Sequence, residues 1–297
     1  MRKTPDHLSE THIVGSRTHQ TIVRAEDCHA LRLQQIAHVG IADARVPYRM
    51  VRTSLKGAYL LACFSGEGRI LLDGRWQICR AGMACLAPPH VPHAFHAIPK
   101  SRWGFCWVRY HQPRDQKPII TSASPVTARF DARPLRSAIS GLYEECDGAS
   151  DPLAIHHWVE LIQTYVMRFA QPWHMDDRLW RLWETVDRQL EAAWSLDRLS
   201  EVSHLSAEHL RRLCHQELGR SPMHHVTFLR MRRAAELLEA TNSKIENVAL
   251  SVGYANPFVF SNTFKKWIGW RPSEYRRRGT PTPRTPRAVR LPNKLRA

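Results

Sequence analysis

The chain has no apolar run long enough to span a bilayer, and its amino terminus lacks the apolar core of a signal peptide. Membrane insertion and export are therefore not expected. It has no C-x-x-C pair. The seven cysteines, Cys28, Cys63, Cys79, Cys85, Cys106, Cys146 and Cys214, are scattered and odd in number. That argues against a disulfide framework and for reduced thiols in the cytoplasm, with Cys63 and Cys214 as small core residues. Acid is scarce too: 27 Asp and Glu stand against 43 Lys and Arg, a formal net charge of +16. A polyanionic partner fits that balance. No nucleophile is set beside a base in a recognisable constellation, so enzymatic chemistry has no carrier in the pattern.

What the chain does have, in 297 residues, is a duplication inside Ser195–Arg276. Each copy reads as a short helix, a tight turn and a second helix, the arrangement that places a helix in the DNA major groove. In the second copy Ile245, Val248, Ala249 and Val252 fall on one helical face. Ser243 and Glu246 have capping-box spacing, and Gly253 suits a left-handed turn. Asn256 is placed to cap the next helix, with Pro257 at its first position. Phe260 and Phe264 then face the core, which leaves Phe258, Val259, Asn262, Lys265 and Lys266 outward. In the first copy Ser195 and Ser206 are the expected caps. Leu196, Leu199 and Val202 are expected inside, with Leu210, Leu213 and Cys214. Glu208, Arg211, Arg212 and His215 take the other face. His204 stands where a glycine is expected, and histidine tolerates positive φ better than β-branched residues do. Pro222–Ala240, rich in helix formers, predicts a stiff connector.

Charge does not by itself mark this region. Glu184–Tyr275 carries 12 Lys and Arg against 11 Asp and Glu, whereas Arg276–Ala297 carries eight basic residues and no acid. Placement on helix faces must do the reading, and the tail, expected to be disordered, adds nonspecific affinity for DNA.

Several stretches carry a resemblance to the AraC/XylS-type transcription regulators. They are Leu218–Pro222, Arg230–Ala234 with Leu237-Leu238, Val248–Tyr254, Phe260–Lys266, Gly269 and Arg271–Arg276. The match covers about a third of the chain; His204 and Ser200 depart from the family's usual small residues. The resemblance implies sequence-specific binding to double-stranded promoter DNA, most simply as an activator, with contact to RNA polymerase as a further expectation.

Upstream the pattern is strand-like. Leu31–Ala37, Tyr59–Phe64, Arg69–Leu72, Arg75–Cys79, Met83–Ala87 and Trp103–Tyr110 read as strands. Ser65–Gly68 and Ala81-Gly82 read as turns, Asp73-Gly74 as a hairpin turn, and Pro88–His93 as a rigid loop. Such a series predicts a small barrel. Gly66–His93 looks like the cupin-type sensing domain that precedes the DNA-binding half in this family. Tyr59, His93, His96, Trp103 and Trp107 are the candidate lining of an effector pocket for a small molecule such as a sugar or related metabolite; the alternative is that these rings only fill the barrel. His90, His93 and His96 lack the His-x-His, Glu and distant His of a metal-binding cupin, so neither metal nor other cofactor is expected. The pairs His156-His157 and His224-His225 are expected at the surface.

Pro134 onward turns helical, with Leu135, Ala138, Ile139 and Leu142 in one stripe. A second helix follows the break at Asp147–Pro152, with Ile155, Trp158, Leu161, Ile162, Tyr165 and Phe169 on one face. By resemblance these helices can pair two subunits as a homodimer. Leu179, Trp180, Leu182, Trp183, Val186 and Leu190 predict a supporting helix after a junction at Gln171–Trp173. The expected class is α+β with two domains. An amino-terminal arm spans 1–30, a cupin-like barrel with helices 31–171, a tandem helix-turn-helix unit 172–278, and a basic tail 279–297. Two other readings stay open: a cupin isomerase or dioxygenase with a DNA-binding appendage, and an architectural DNA binder with a purely structural barrel.

Overall fold

The computed structural model describes residues 9–53, 57–111, 119–171 and 176–279. The basic tail beyond Gly279 and most of the expected junction at Gln171–Trp173 lie outside those residues.

Strands come first: β1 (Thr11–Val14) and β2 (His19–Arg24). Part of the expected arm is thus sheet. Next are α1 (His29–Leu33) and β3 (Ile36–Ala44). The strand expected over Leu31–Ala37 is not formed, because Gln35 turns left-handed at φ 57° between the short helix and β3. The rest of the sheet is β4 (Tyr48–Arg52), β5 (Tyr59–Leu72), β6 (Arg75–Arg80), β7 (Met83–Ala87), β8 (His93–Ala97), β9 (Trp103–Tyr110) and β10 (Thr127–Arg129). Every pairing is antiparallel.

The 14-residue β5 belongs to both halves of the curled sheet. Tyr59–Cys63 pairs with β7 and β9; from Glu67 onward the strand pairs with β6 and β8. The expected turn at Ser65–Gly68 is instead a bend inside one strand. Gly66 makes it at φ +62°, against the Arg102 carbonyl where a Cβ has no room. The strand so folds back on itself: the Tyr59 ring stacks 5.7 Å from Phe95, whose backbone partner is Ile70 near the other end.

Period-two alternation separates two cores. Tyr48, Met50, Tyr59, Leu61, Trp103, Phe105 and Trp107 point into the barrel. Val39, Leu60, Ala62, Cys106, Val108 and Tyr110 point outward, under α2 (Ala132–Asp147) and α3 (Pro152–Ala170). Asp131 and Asp151 cap these helices by accepting from Arg133 N and Leu153 N. Leu135, Ala138, Ile139 and Leu142 are buried as the stripe predicts, but Leu161 is 41% exposed.

The remaining chain is helical: α4 (Asp177–Arg188), α5 (Leu196–Ser203), α6 (Ala207–Leu218), α7 (Pro222–Ala240), α8 (Ile245–Ser251), α9 (Pro257–Ile268) and α10 (Pro272–Gly279). In α4, Leu179, Leu182, Trp183 and Val186 are buried, while Trp180 faces outward at 43% exposure.

The barrel interior and the helical region share one apolar cluster. At the joint, the β5–β6 turn, Asp73-Gly74, has φ of 53° and 71°, the type I′ geometry expected of that dipeptide. Asp73 lies 3.3 Å from Arg220, which is only 4% exposed and stacks 4.2 Å from the Phe228 ring centroid. His224 is 3.7 Å from the same carboxylate. Gly74 abuts the Lys266 carbonyl so closely that a side chain would displace it. His225 was expected at the surface. It is fully buried, its Nε2 2.7 Å from the Ser122 carbonyl, because α7 turns that face onto the barrel. Tyr275 donates to the His90 carbonyl, and His90 Nδ1 lies 2.5 Å from Glu239.

Burial pushes the Asp73 carboxyl upward against the pull of Arg220, and pushes the Arg220 guanidinium downward. Removing one partner strands the other. Asp73→Asn is expected to cost about 3–5 kcal/mol of stability, and the Asp73→Asn, Arg220→Met double variant distinctly less. Urea unfolding of the two proteins measures the difference; equal losses would show that the pair is not coupled.

Candidate nucleic-acid interface and effector site

Helix α5 starts at Ser195, whose hydroxyl accepts from Arg198 N at 3.2 Å. It ends at His204, which takes the left-handed turn conformation, φ 53° and ψ 33°. The missing glycine is thus replaced by a strained histidine rather than by a different turn. Leu199 and Ser203 are buried; Val202, expected inside, is 38% exposed. The inward face follows the 196, 199, 203 spacing, one residue round from the expected one. Ser206 caps α6 by accepting from His209 N at 3.3 Å. Leu210, Cys214 and Leu218 anchor that helix. Its outer face carries Glu208, Arg211, Arg212 and His215, all exposed. Arg211 lies 3.7 Å from Glu208, which is 87% exposed, so this pair constrains neither side chain. His215 also borders a cleft of about 1050 Å³ between α6 and the barrel, with Thr127, Phe130 and Phe169.

The second unit differs from expectation at its start. Lys244, not Ser243, is the cap of α8, and no side chain bonds there. Ser243 stands outside the helix, its carbonyl taking a hydrogen bond from Arg276 Nη2 at 2.5 Å. Gly253 makes the turn at φ +79°, where a Cβ would lie 2.7 Å from the Leu190 carbonyl and closer to Arg230. That absence lets Arg230 reach Leu190 O (2.9 Å) and Ala192 O (2.7 Å) while lying 5.6 Å from the Tyr254 ring centroid. The connector α7 is thereby tied to the segment leading into the first unit and to the turn of the second. Asn256 Oδ1 accepts from Phe258 N and Val259 N at 2.9 and 3.3 Å, with Pro257 first in α9. Phe260 and Phe264 are fully buried, so the other face must point out: Phe258 is 81% and Val259 52% exposed, beside exposed Asn262, Lys265 and Lys266.

The five barrel residues do not form one group. Tyr59, His93 and Trp107 gather at one end, with Tyr59 and His93 ring centroids 5.6 Å apart. Trp103 is fully buried at the other end, over Gly68. His96 sits on the outer face of β8, 4.8 Å from Trp76, because it alternates with Phe95. His90 belongs to the joint. Residues absent from the sequence-based set join Tyr59 instead: Arg52, 5.2 Å from its ring centroid, Arg109, directly opposite it in β9, and His38, which accepts from Trp107 Nε1 at 2.9 Å. Their signal in the sequence was alternation, since Arg109 continues the 103, 105, 107 series. Burial, with Arg52 and Arg109 added, holds the His38 and His93 imidazoles down at about 3.

Residues 37–157 match the model of an AraC-like ligand binding domain, and residues 199–278 match that of a helix-turn-helix domain. The MmsAB operon regulatory protein of Pseudomonas aeruginosa is 25% identical over 249 residues, 78% of each chain. The arabinose operon regulatory protein of Escherichia coli is 29% identical over 240 residues, 75% of this chain and 81% of that one. The HTH-type transcriptional regulator MtrA of Neisseria gonorrhoeae is 32% identical over 104 residues, 35% of each. Barrel and paired helix-turn-helix units together define a one-chain DNA-binding regulator that senses a small molecule. The chain belongs to the AraC family of transcription regulators.

Two measurements probe this architecture. His204→Gly is expected to gain about 0.5–1 kcal/mol, the relieved left-handed strain less the glycine's extra unfolded freedom. Gly253→Ala is expected to lose at least that much; denaturant midpoints decide both. His93 and His225 are buried with their pKa values lowered by burial. A lowered histidine contributes stability present above its unfolded value near 6.5 and lost as pH falls toward the folded value, up to about 1.4 kcal/mol per pH unit each. Unfolding free energy should therefore drop between pH 6.5 and 4.5, and His93→Gln should flatten that drop; an unchanged slope would show that His93 is already solvated.

Proposed function

We propose that the barrel, about residues 31–171, biases promoter binding by the helical unit, about 172–278, through α6 and α9 entering successive major-groove segments. In such a docking the segments lie about 34 Å apart on one face of the duplex. Arg211 and Arg212 donate to guanine, Glu208 accepts from cytosine, and His215 reaches the flanking backbone. Phe258 and Val259 pack on thymine methyls beside Pro257, and Asn262 contacts adenine or a phosphate. Lys265 and Lys266 hold phosphates, which position without specifying.

The observation that carries this reading is the exposure of Phe258 and Val259 on a helix whose opposite face is fully buried. Folding alone has no use for a bare aromatic ring there, whereas a groove lined by methyl groups does. The near-neutral charge of this unit fits recognition by placed side chains rather than by a diffuse field.

The same proposal includes promoter activation through RNA polymerase contact, action in the cytoplasm, and pairing of two chains along α3, where Leu153 (63% exposed) and Leu161 (41%) lie eight residues apart on one face. The effector is a small metabolite; a sugar reading leans on the name of the arabinose operon relatives.

Fluorescence anisotropy with duplexes from the protein's own promoter region tests the assignment. Arg211→Ala and Phe258→Ala are each expected to cost about 1–3 kcal/mol and to relax preference at one base pair. Lys265→Ala should weaken all sequences alike and lower the salt slope by about one. Retention of full sequence preference by both Arg211→Ala and Phe258→Ala would refute the docking.

A further inference from the structure

Three arginines converge on one rung of the barrel, and among the described residues no acid forms an ion pair with them. The register sets Arg24 opposite His38, His38 opposite Arg109, and Arg109 opposite Tyr59. Across the barrel, Arg52 is opposite His93. Residues directly opposite share a face, so these side chains ring the inside of one end. The next rung down holds Gly40 opposite Trp107 opposite Leu61. The Trp107 indole lies against Gly40 where a Cβ would sit, and so gives the ring an apolar floor.

The polar atoms of this ring are short of acceptors. Arg52 Nε and Nη1, Arg109 Nε and His93 Nδ1 are shielded from solvent without a hydrogen-bond partner. The His93 side chain is 4% exposed. Glu10, whose field reaches Arg109, commits its carboxylate to Thr53 N and Oγ1 at 2.8 and 2.7 Å and to His12 at 3.1 Å. Among the described residues no ion pair includes Arg24, Arg52 or Arg109, whereas Arg102, Arg133, Arg178 and Arg220 each have an aspartate. Burial lowers Arg109, and the like charge of Arg52 lowers it further. A shielded guanidinium pair without a counter-charge is costly, and a bound anion removes the cost.

We infer that this rung binds the oxyanion head of a small organic acid, clamped by Arg52 and Arg109, with Tyr59 as its aromatic wall and Trp107 as its floor. The inference rests on the reading of the barrel as the effector site, and narrows that effector to an anion. A neutral sugar would leave both guanidiniums uncompensated.

Calorimetric titration and thermal unfolding of the full chain without DNA test it, with matched probes: D-galacturonate against D-galactose, benzoate against benzamide, and phenyl phosphate. Because DNA is absent, the outcome is independent of whether α6 and α9 read bases. At least one anion is expected to bind and raise the melting temperature while its uncharged partner does not; the stronger of the carboxylate and phosphate arms identifies the head. Arg52→Gln and Arg109→Gln should each weaken binding roughly ten- to a hundredfold. Arg52→Lys should keep part of the affinity, and Arg188→Gln, an equal charge change at the surface, should keep all of it. Arg52→Lys also serves if a glutamine variant fails to fold. Equal binding of the acid and its neutral partner overturns the inference. So does anion binding indifferent to Arg52 and Arg109, and so does failure of every anion to bind the wild-type chain.

Discussion

The structure depends on one buried contact, the seating of the Asp73-Gly74 turn between Arg220 and the carboxy-terminal end of α9. Arg220 follows the first helix-turn-helix unit and Lys266 ends the second, so a single turn of the barrel touches both. Gly74 sets the closeness of the approach, because any side chain would strike the Lys266 carbonyl. Asp73 sets its chemistry, because a guanidinium nearly sealed from water needs a counter-charge. The barrel is therefore wedged against the reading unit at a point that bears on both halves.

Inside the helical unit a second constraint complements the first. Arg230 ties α7 to the Leu190 and Ala192 carbonyls and lies over Tyr254, in space that Gly253 leaves open. The connector is thus anchored by hydrogen bonds as well as by its buried face of Leu229, Met231, Ala234 and Leu238. A rigid spacer is what two reading helices need if their separation is to match the turn of a duplex.

The helix-turn-helix units were legible in the sequence because their signals are local. Ser195, Ser206 and Asn256 cap the helices they precede, and Gly253 turns where its residue type permits. Even His204 reads correctly, since the turn fixes φ and histidine can adopt it. The start of α8 was misplaced by one residue because two polar residues compete there, and Arg276, distant in sequence, takes the Ser243 carbonyl. The barrel was legible as a class but not in detail. Gly66 and Gly68 look like a turn, yet one bends β5 and the other makes room for Trp103. His225 looked solvated because nothing local announces the Ser122 carbonyl above it. The ring of Arg24, His38, Arg52 and Arg109 is assembled by register across several strands, and register is a property of the folded sheet.

The loop between β7 and β8 has a consequence of its own. His93 closes it by bonding the Pro88 carbonyl at 3.1 Å, with Tyr59 against the same ring. Two residues before Pro92, His90 gives its carbonyl to Tyr275 and its imidazole to Glu239. His90 and His93 are thus only three peptide units apart, with Pro92 between them. This short stretch of backbone joins the Tyr59 end of the barrel to α7 and α10 by a route that does not pass through the packed interior of the sheet.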